Sequence, residues 1–181
     1  MSLLKIFSAD DAQLLNSIDK HEQITAELGQ LGIRFEAWQA SQPLSDSAEQ
    51  DEVFSAYRQP IDQLMAEYGF QSVDVIALRP DHLDRAALRQ KFLSEHIHSE
   101  FEVRFFVDGK GLFYVHHDDK VYGVMCEQGD LISVPSNTKH WFDMGAAPSF
   151  KCIRLFTNPE GWVAQYTGDT IAANFPSFEQ F

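Results

Sequence analysis

"HIHSEFEVRFFVDG", residues 96–109, is the stretch on which the fold and chemistry of this chain turn. His96 and His98 flank one residue, Glu102 follows four positions later, and Val103 to Val107 is a β-branched and aromatic run. Side chains two apart on a strand share a face. An extended chain therefore turns His96, His98 and Glu102 toward one point, and Arg104 continues the same parity one step further. Two imidazoles and a carboxylate converging in this way form a donor set for a transition metal.

Downstream, "GDLISVPSNTKHW" (129–141) reads as a strand, a proline-bearing turn and then His140, a fourth donor from a different strand. Three imidazoles and one carboxylate suit iron(II), nickel(II), manganese or zinc. Four protein ligands on an octahedral ion leave two positions open for water or a chelating substrate, which describes a catalytic site.

From Phe101 onward, short apolar runs alternate with the turn signals "DGKG", "HDDK", "EQGD", "PSNT" and "NPEG", the pattern of an all-β sandwich or barrel. Helical periodicity precedes them. "SIDKHEQITAELGQLGI" carries a stripe at Ile18, Ile24, Leu28 and Leu31, and "DSAEQDEVFSAYRQPIDQLMAEYGF" carries a longer one that Pro60 bends or splits before Gly69 ends it. "SVDVIALRP" is a β-rich run, and "HLDRAALRQKFL" is a short helix leading into the histidine motif. The expected organisation is one domain over 1–181: a helical part with a strand (1–91), a metal-binding barrel core (92–165) and an aromatic tail (166–181) that covers a barrel edge.

The chain has 27 Asp and Glu against 14 Lys and Arg, a formal charge of −13, and that field repels phosphate backbones and anionic lipid. The expected partners are a small molecule and dioxygen, with no nucleic acid and no membrane, and the chain is expected to be a monomer. Cys126 and Cys152 are too few for a disulfide framework and read as small buried apolar residues. The opening residues lack a leader pattern, and no apolar run approaches the length of a membrane span. A cytoplasmic location is expected.

These residues carry a family resemblance. "HIHSEFEVRFFVDG" resembles the first cupin motif, HxHxxxE then six residues and glycine (Gly109), and "GDLISVPSNTKH" resembles the second. Gln90 and Asn137 stand where those motifs usually have glycine. The chain is similar more specifically to the acireductone dioxygenases of methionine salvage, in "HxHxxxEVRFFVxGxGxF" (96–113), "VPxxxxHWF" (134–142) and "CIRLFxxxEGW" (152–162). This resemblance implies a mainly β, cupin-type barrel, a double-stranded β-helix, with an α-helical N-terminal region. It implies one Fe(2+) or Ni(2+) held by His96, His98, Glu102 and His140. It also implies oxidative cleavage of 1,2-dihydroxy-3-keto-5-methylthiopentene, to formate and 4-methylthio-2-oxobutanoate with iron, or to formate, carbon monoxide and 3-methylthiopropanoate with nickel. Many relatives carry an acidic residue where this chain has Phe101, a position tied to local conformation.

Around the ligands, Arg104 is the cation placed to hold an enediolate by paired hydrogen bonds and lower the pKa of the enediol, and the matching family arginine is associated with the substrate dianion. Arg154 lies on an apolar stripe with Phe150, Cys152 and Phe156, where substrate or an internal carboxylate would pair it. Glu95, of opposite parity, either orients an imidazole, helps capture metal or is solvated. Phe92, Phe105, Phe142 and Trp162 are candidates to line a pocket for an apolar thioether tail. Two other readings use the same ligands: a sugar isomerase or epimerase, with a pocket rich in lysine and polar groups, and a non-catalytic binding cupin, with no need for Arg104.

Overall fold

Short apolar runs broken by turns make strands, and the computed structural model, which describes residues 2–158 and 163–181, has eleven among those residues. The first half runs β1 (Leu3–Ser8), β2 (Leu14–Ile18), α1 (His21–Gly29), β3 (Arg34–Ala37), α2 (Gln50–Ala56), α3 (Arg58–Tyr68), β4 (Ser72–Leu78) and α4 (Arg85–Leu93). The second half runs β5 (His96–Ile97), β6 (Glu102–His117), β7 (Lys120–Glu127), β8 (Asp130–Val134), β9 (Lys139–Asp143), β10 (Phe150–Phe156) and β11 (Gln165–Tyr166). A 3₁₀ turn at Ile171–Asn174 follows.

The fold is the mainly β, cupin-type barrel, and β6 joins its two halves. The first part of β6 lies between β8 and β10, with β4 and β3 beyond them; the second part lies between β7 and β9, with β1, β2, β5 and β11 beyond. All these pairings are antiparallel. The strand passes between the halves at Gly109, whose φ of +73° is a left-handed value open to glycine. A Cβ there would sit 1.9 Å from the Ser149 carbonyl oxygen, so nothing larger fits.

The bend also shifts the side-chain alternation. Phe106 before it and Phe113 and Val115 after it lie in one core with Phe142, Phe150 and Cys152. Val103, Phe105 and Val107 face a second core under α2 and α3, with Val53, Tyr57, Ile61 and Leu64. A third cluster on the outer face of the other half packs Leu112, Tyr114 and Trp141 against Phe7 and Phe175.

The first 91 residues hold four strands beside their four helices, where one strand was expected. β1 pairs with β7, β3 with β8 and β4 with β10, so this region completes the barrel's sheets. Pro60 splits the long helix: it lies in the first turn of α3, where its missing N–H costs nothing, and Gly69 ends α3 with φ +70°. Glu49 and Glu52 form a capping box at the start of α2. Phe175 of the tail packs on a sheet face and not on an edge.

Candidate metal centre

His96 on β5 pairs directly across from His140 on β9. The Nδ1 of each lies 2.7 Å from a backbone carbonyl, that of Ser94 for His96 and that of Thr138 for His140. A ring nitrogen held by a carbonyl carries the proton, which leaves Nε2 with its lone pair. His98 follows β5 in the bend before β6, and its carbonyl accepts the Asn137 N–H at 2.8 Å. Asn137 has φ +59°, and asparagine tolerates that left-handed conformation, which accounts for its standing where the cupin motif has glycine.

Donor atoms of His96, His98 and His140 all lie within 4.8 Å of one another. Glu102, the first residue of β6, places Oε2 3.0 Å from His140 Nε2 and 3.2 Å from His98 Nε2. Its Oε1 forms an ion pair with Arg104, 2.7 Å from Nε. His140 therefore has oxygen acceptors at both ring nitrogens, and a neutral imidazole has one N–H to offer. A divalent cation seated between Nε2 and the carboxylate resolves that mismatch, so these residues fit a metal. All four side chains are buried.

The electrostatics are those of a preformed site. Burial alone would push the Glu102 carboxyl up, but Arg104, His140 and His98 outweigh it and hold the group well below the usual carboxylate range. Burial, reinforced by His140, pushes His96 down to about 4, so its ring is neutral near neutral pH. Cys126 and Cys152 are buried in the core; burial holds the first thiol well up and pushes the second up to about 12.

Arg104 is 6% exposed and sits among aromatic rings: its guanidinium carbon lies 4.9 Å from the Phe142 centroid, 5.7 Å from Phe113 and 5.8 Å from Phe92. Gly111 makes room for this arrangement, since a Cβ there would meet the Phe142 ring at 2.5 Å. Phe113 was missed because "DGKG" (108–111) read as a turn, whereas β6 runs through it. The signal was Gly109, whose bend shifts the parity.

Four expectations need correction or refinement. The parity argument for His96, His98 and Glu102 assumed one continuous strand, but β5 ends at Ile97 and β6 begins at Glu102; pairing with β9 brings the donors together. Phe105 does not line the site: it is one residue out of phase with Arg104 and packs in the second core against Trp38 and Tyr57. Glu95 is not solvated: 1% exposed, it places Oε2 2.6 Å from His116 Nδ1 and accepts from Thr167 Oγ1 at 2.8 Å. Arg154 lies opposite Arg104 and makes a two-pronged pair with Asp74 on β4, at 2.9 and 2.6 Å. Phe101 rests edge-on against Tyr68 of α3, with centroids 5.4 Å apart. Trp162 lies outside the described residues.

Comparison with known proteins agrees with this geometry. The family model described as the ARD/ARD' family matches residues 6–164. An acireductone dioxygenase of Aquifex aeolicus (strain VF5) is 54% identical over 180 residues, covering 99% of this chain and 98% of its own. One from Methylococcus capsulatus is 51% identical over 181 residues, covering 100% and 97%. A solved acireductone dioxygenase from Bacillus anthracis, described with a cadmium ion in its active center, superposes with a TM-score of 0.81 at 30% identity, covering 92% of this chain and 98% of that one. The chain belongs to the ARD/ARD' family, among whose relatives are these acireductone dioxygenases.

Proposed function

We propose that the protein is an iron- or nickel-dependent acireductone dioxygenase of methionine salvage whose metal is held by His96, His98, Glu102 and His140. The observation that carries this reading is the buried group of three imidazoles with Glu102 reaching two of them and Arg104 ion-paired with Glu102. The cadmium ion named in the active center of the Bacillus anthracis relative supports a divalent cation at the corresponding place. When bound, such a cation supplies a Lewis acid and a template for two oxygens of the enediolate.

The chain's own residues set the rest. Arg104 keeps its charge and accepts no proton. Among three rings, in a site of low dielectric, its positive charge lowers the cost of the second negative charge on the substrate. Glu102 holds the guanidinium beside it by charge, with Oε1 2.7 Å from Nε. Phe92 and Phe142 flank that cation and exclude water from the side where the methylthio tail would lie. Glu95, through Thr167 and His116, ties β5 to the chain after β11 and to the end of β6, a placement suited to positioning His96. Phe101, directly before Glu102 and packed against Tyr68 of α3, is suited to holding the start of β6 against that helix. The reading includes a one-domain monomer in the cytoplasm without nucleic-acid or membrane partner, which the net charge of −13 supports.

The test is oxygen uptake on addition of acireductone to protein stripped of metal and reloaded with iron or nickel. Uptake is expected with either metal and not with the stripped protein. The His140→Ala variant is expected to bind less than one metal per chain. Full metal content in that variant contradicts the four-ligand site.

A further inference from the structure

α4 stands beside the site with little apolar packing of its own. No residue of the helix is fully buried, and only Leu88 and Phe92, four apart and so on one face, pack against the core that holds Phe113 and Phe142. From that face the Phe92 ring reaches Arg104. A helix of nine residues depends on tertiary anchors for its position. Its C-terminal end has two: the Ser94 carbonyl lies 2.7 Å from His96 Nδ1, and Tyr166 Oη donates to the Lys91 carbonyl at 3.0 Å. Beside the helix lies a cavity of about 460 Å³, lined by Arg89, Leu93 and Ser94 together with Trp141, Phe175 and Ser177. α4 thus has space to pivot about its C-terminal end, and a further anchor is needed to set its angle.

Arg89 is that anchor. Its Nε and Nη2 donate to the two Asp143 oxygens at 2.7 and 2.9 Å, and Nη2 also donates to Glu179 at 2.8 Å. The Asp143 side chain is 2% exposed and accepts the backbone N–H groups of Gly145 and Phe178 as well, both at 2.9 Å. An acceptor held from so many sides fixes the direction of the planar fork that meets it. Asp143 is the last residue of β9, directly after Phe142. The fork therefore joins the helix that carries Phe92 to the strand that carries Phe142, and these two rings flank the Arg104 cation. We propose that Arg89 is a positioning residue for substrate selection: locked onto Asp143, it sets the angle of α4 and keeps Phe92 in the wall that receives the apolar tail of the substrate. This rests on the acireductone reading of the same site. The bonds of Arg89 go to Asp143 and Glu179 and to no metal donor, so its role is read in substrate preference and not in metal content.

Steady-state oxygen uptake by the metal-loaded enzyme tests this with acireductone and with an analogue whose chain lacks the methylthio group. In Arg89→Met, KM for acireductone is expected to rise about tenfold at unchanged kcat, the size of discrimination that a hydrophobic pocket draws from one small apolar group, while KM for the analogue changes by less than about twofold. Arg89→Lys keeps the charge without the planar fork and is expected to show the same selective rise. In a Phe92→Ala background Arg89→Met adds nothing, because both act through one ring. An equal rise for the two substrates, no rise for acireductone, or a rise that persists without Phe92 overturns the assignment. A wild-type enzyme that consumes no acireductone contradicts the reaction itself, whereas wild-type turnover with an unchanged KM in both Arg89 variants contradicts the positioning role alone.

Discussion

Arg104 shows how one side chain connects folding to chemistry. It is buried beside a buried carboxylate, and truncating one partner of such a pair leaves the other uncompensated. A bound cation can compensate the Glu102 charge in place of Arg104. Arg104→Ala is therefore expected to keep one metal per chain, to lose the substrate dianion's absorption on binding, and to lower kcat at least about a hundredfold. A dianion spectrum in that variant contradicts the assigned role. His96 yields a pH prediction. Its unfolded value is 6.5 and its folded value about 4, so the unfolded chain binds the proton first. The stability this ring contributes to the metal-free protein is complete above 6.5, falls as pH drops through that window, and is lost below about 4. Denaturation midpoints against pH should slope over this range, and less steeply in His96→Gln; equal slopes contradict it. Most of the donor set was legible because parity and motif spacing are local signals. The partners of Glu95 and Arg154 were not, since His116, Thr167 and Asp74 lie 21, 72 and 80 positions away.

At the scale of elements, β6 carries the account. In sequence "DGKG" (108–111) reads as a turn that breaks this stretch, yet the chain continues through it as one sixteen-residue strand whose two ends serve different sheet halves. The cause is Gly109, with its left-handed φ and the Ser149 carbonyl packed where a Cβ would go. Phe105 was misplaced because its parity relative to Arg104 was not applied, and Phe113 was missed because it lies beyond "DGKG", which read as a turn. Gly109→Ala is expected to destabilise the fold by about 2 kcal/mol or more, because it combines backbone strain with a clash against main chain. Urea denaturation measures this, and a midpoint equal to wild type contradicts the bend. β1, β2 and β3 were not anticipated because each is six residues or fewer, and β2 is largely exposed. The helices were clearer, since Ile61, Leu64 and Val53 repeat at helical spacing over longer spans.

For the whole molecule, the barrel brings His96, His98, Glu102 and His140 from β5, the bend after it, β6 and β9 to one buried point. Local motifs revealed the barrel, but the docking of the N-terminal strands onto β7, β8 and β10 depends on long-range pairing that periodicity does not encode. The donor set accepts iron(II) and nickel(II) alike, as both take mixed nitrogen and oxygen ligands. The central claim is that this one site cleaves acireductone and that the loaded metal directs which bonds break. One stripped preparation, reloaded in parallel with iron and with nickel and given acireductone and air, tests it by headspace carbon monoxide and chromatography of the acids. The account predicts 4-methylthio-2-oxobutanoate and formate without carbon monoxide from the iron enzyme, and carbon monoxide, formate and 3-methylthiopropanoate from the nickel enzyme; the same products from both, or no consumption of acireductone by either, would contradict it.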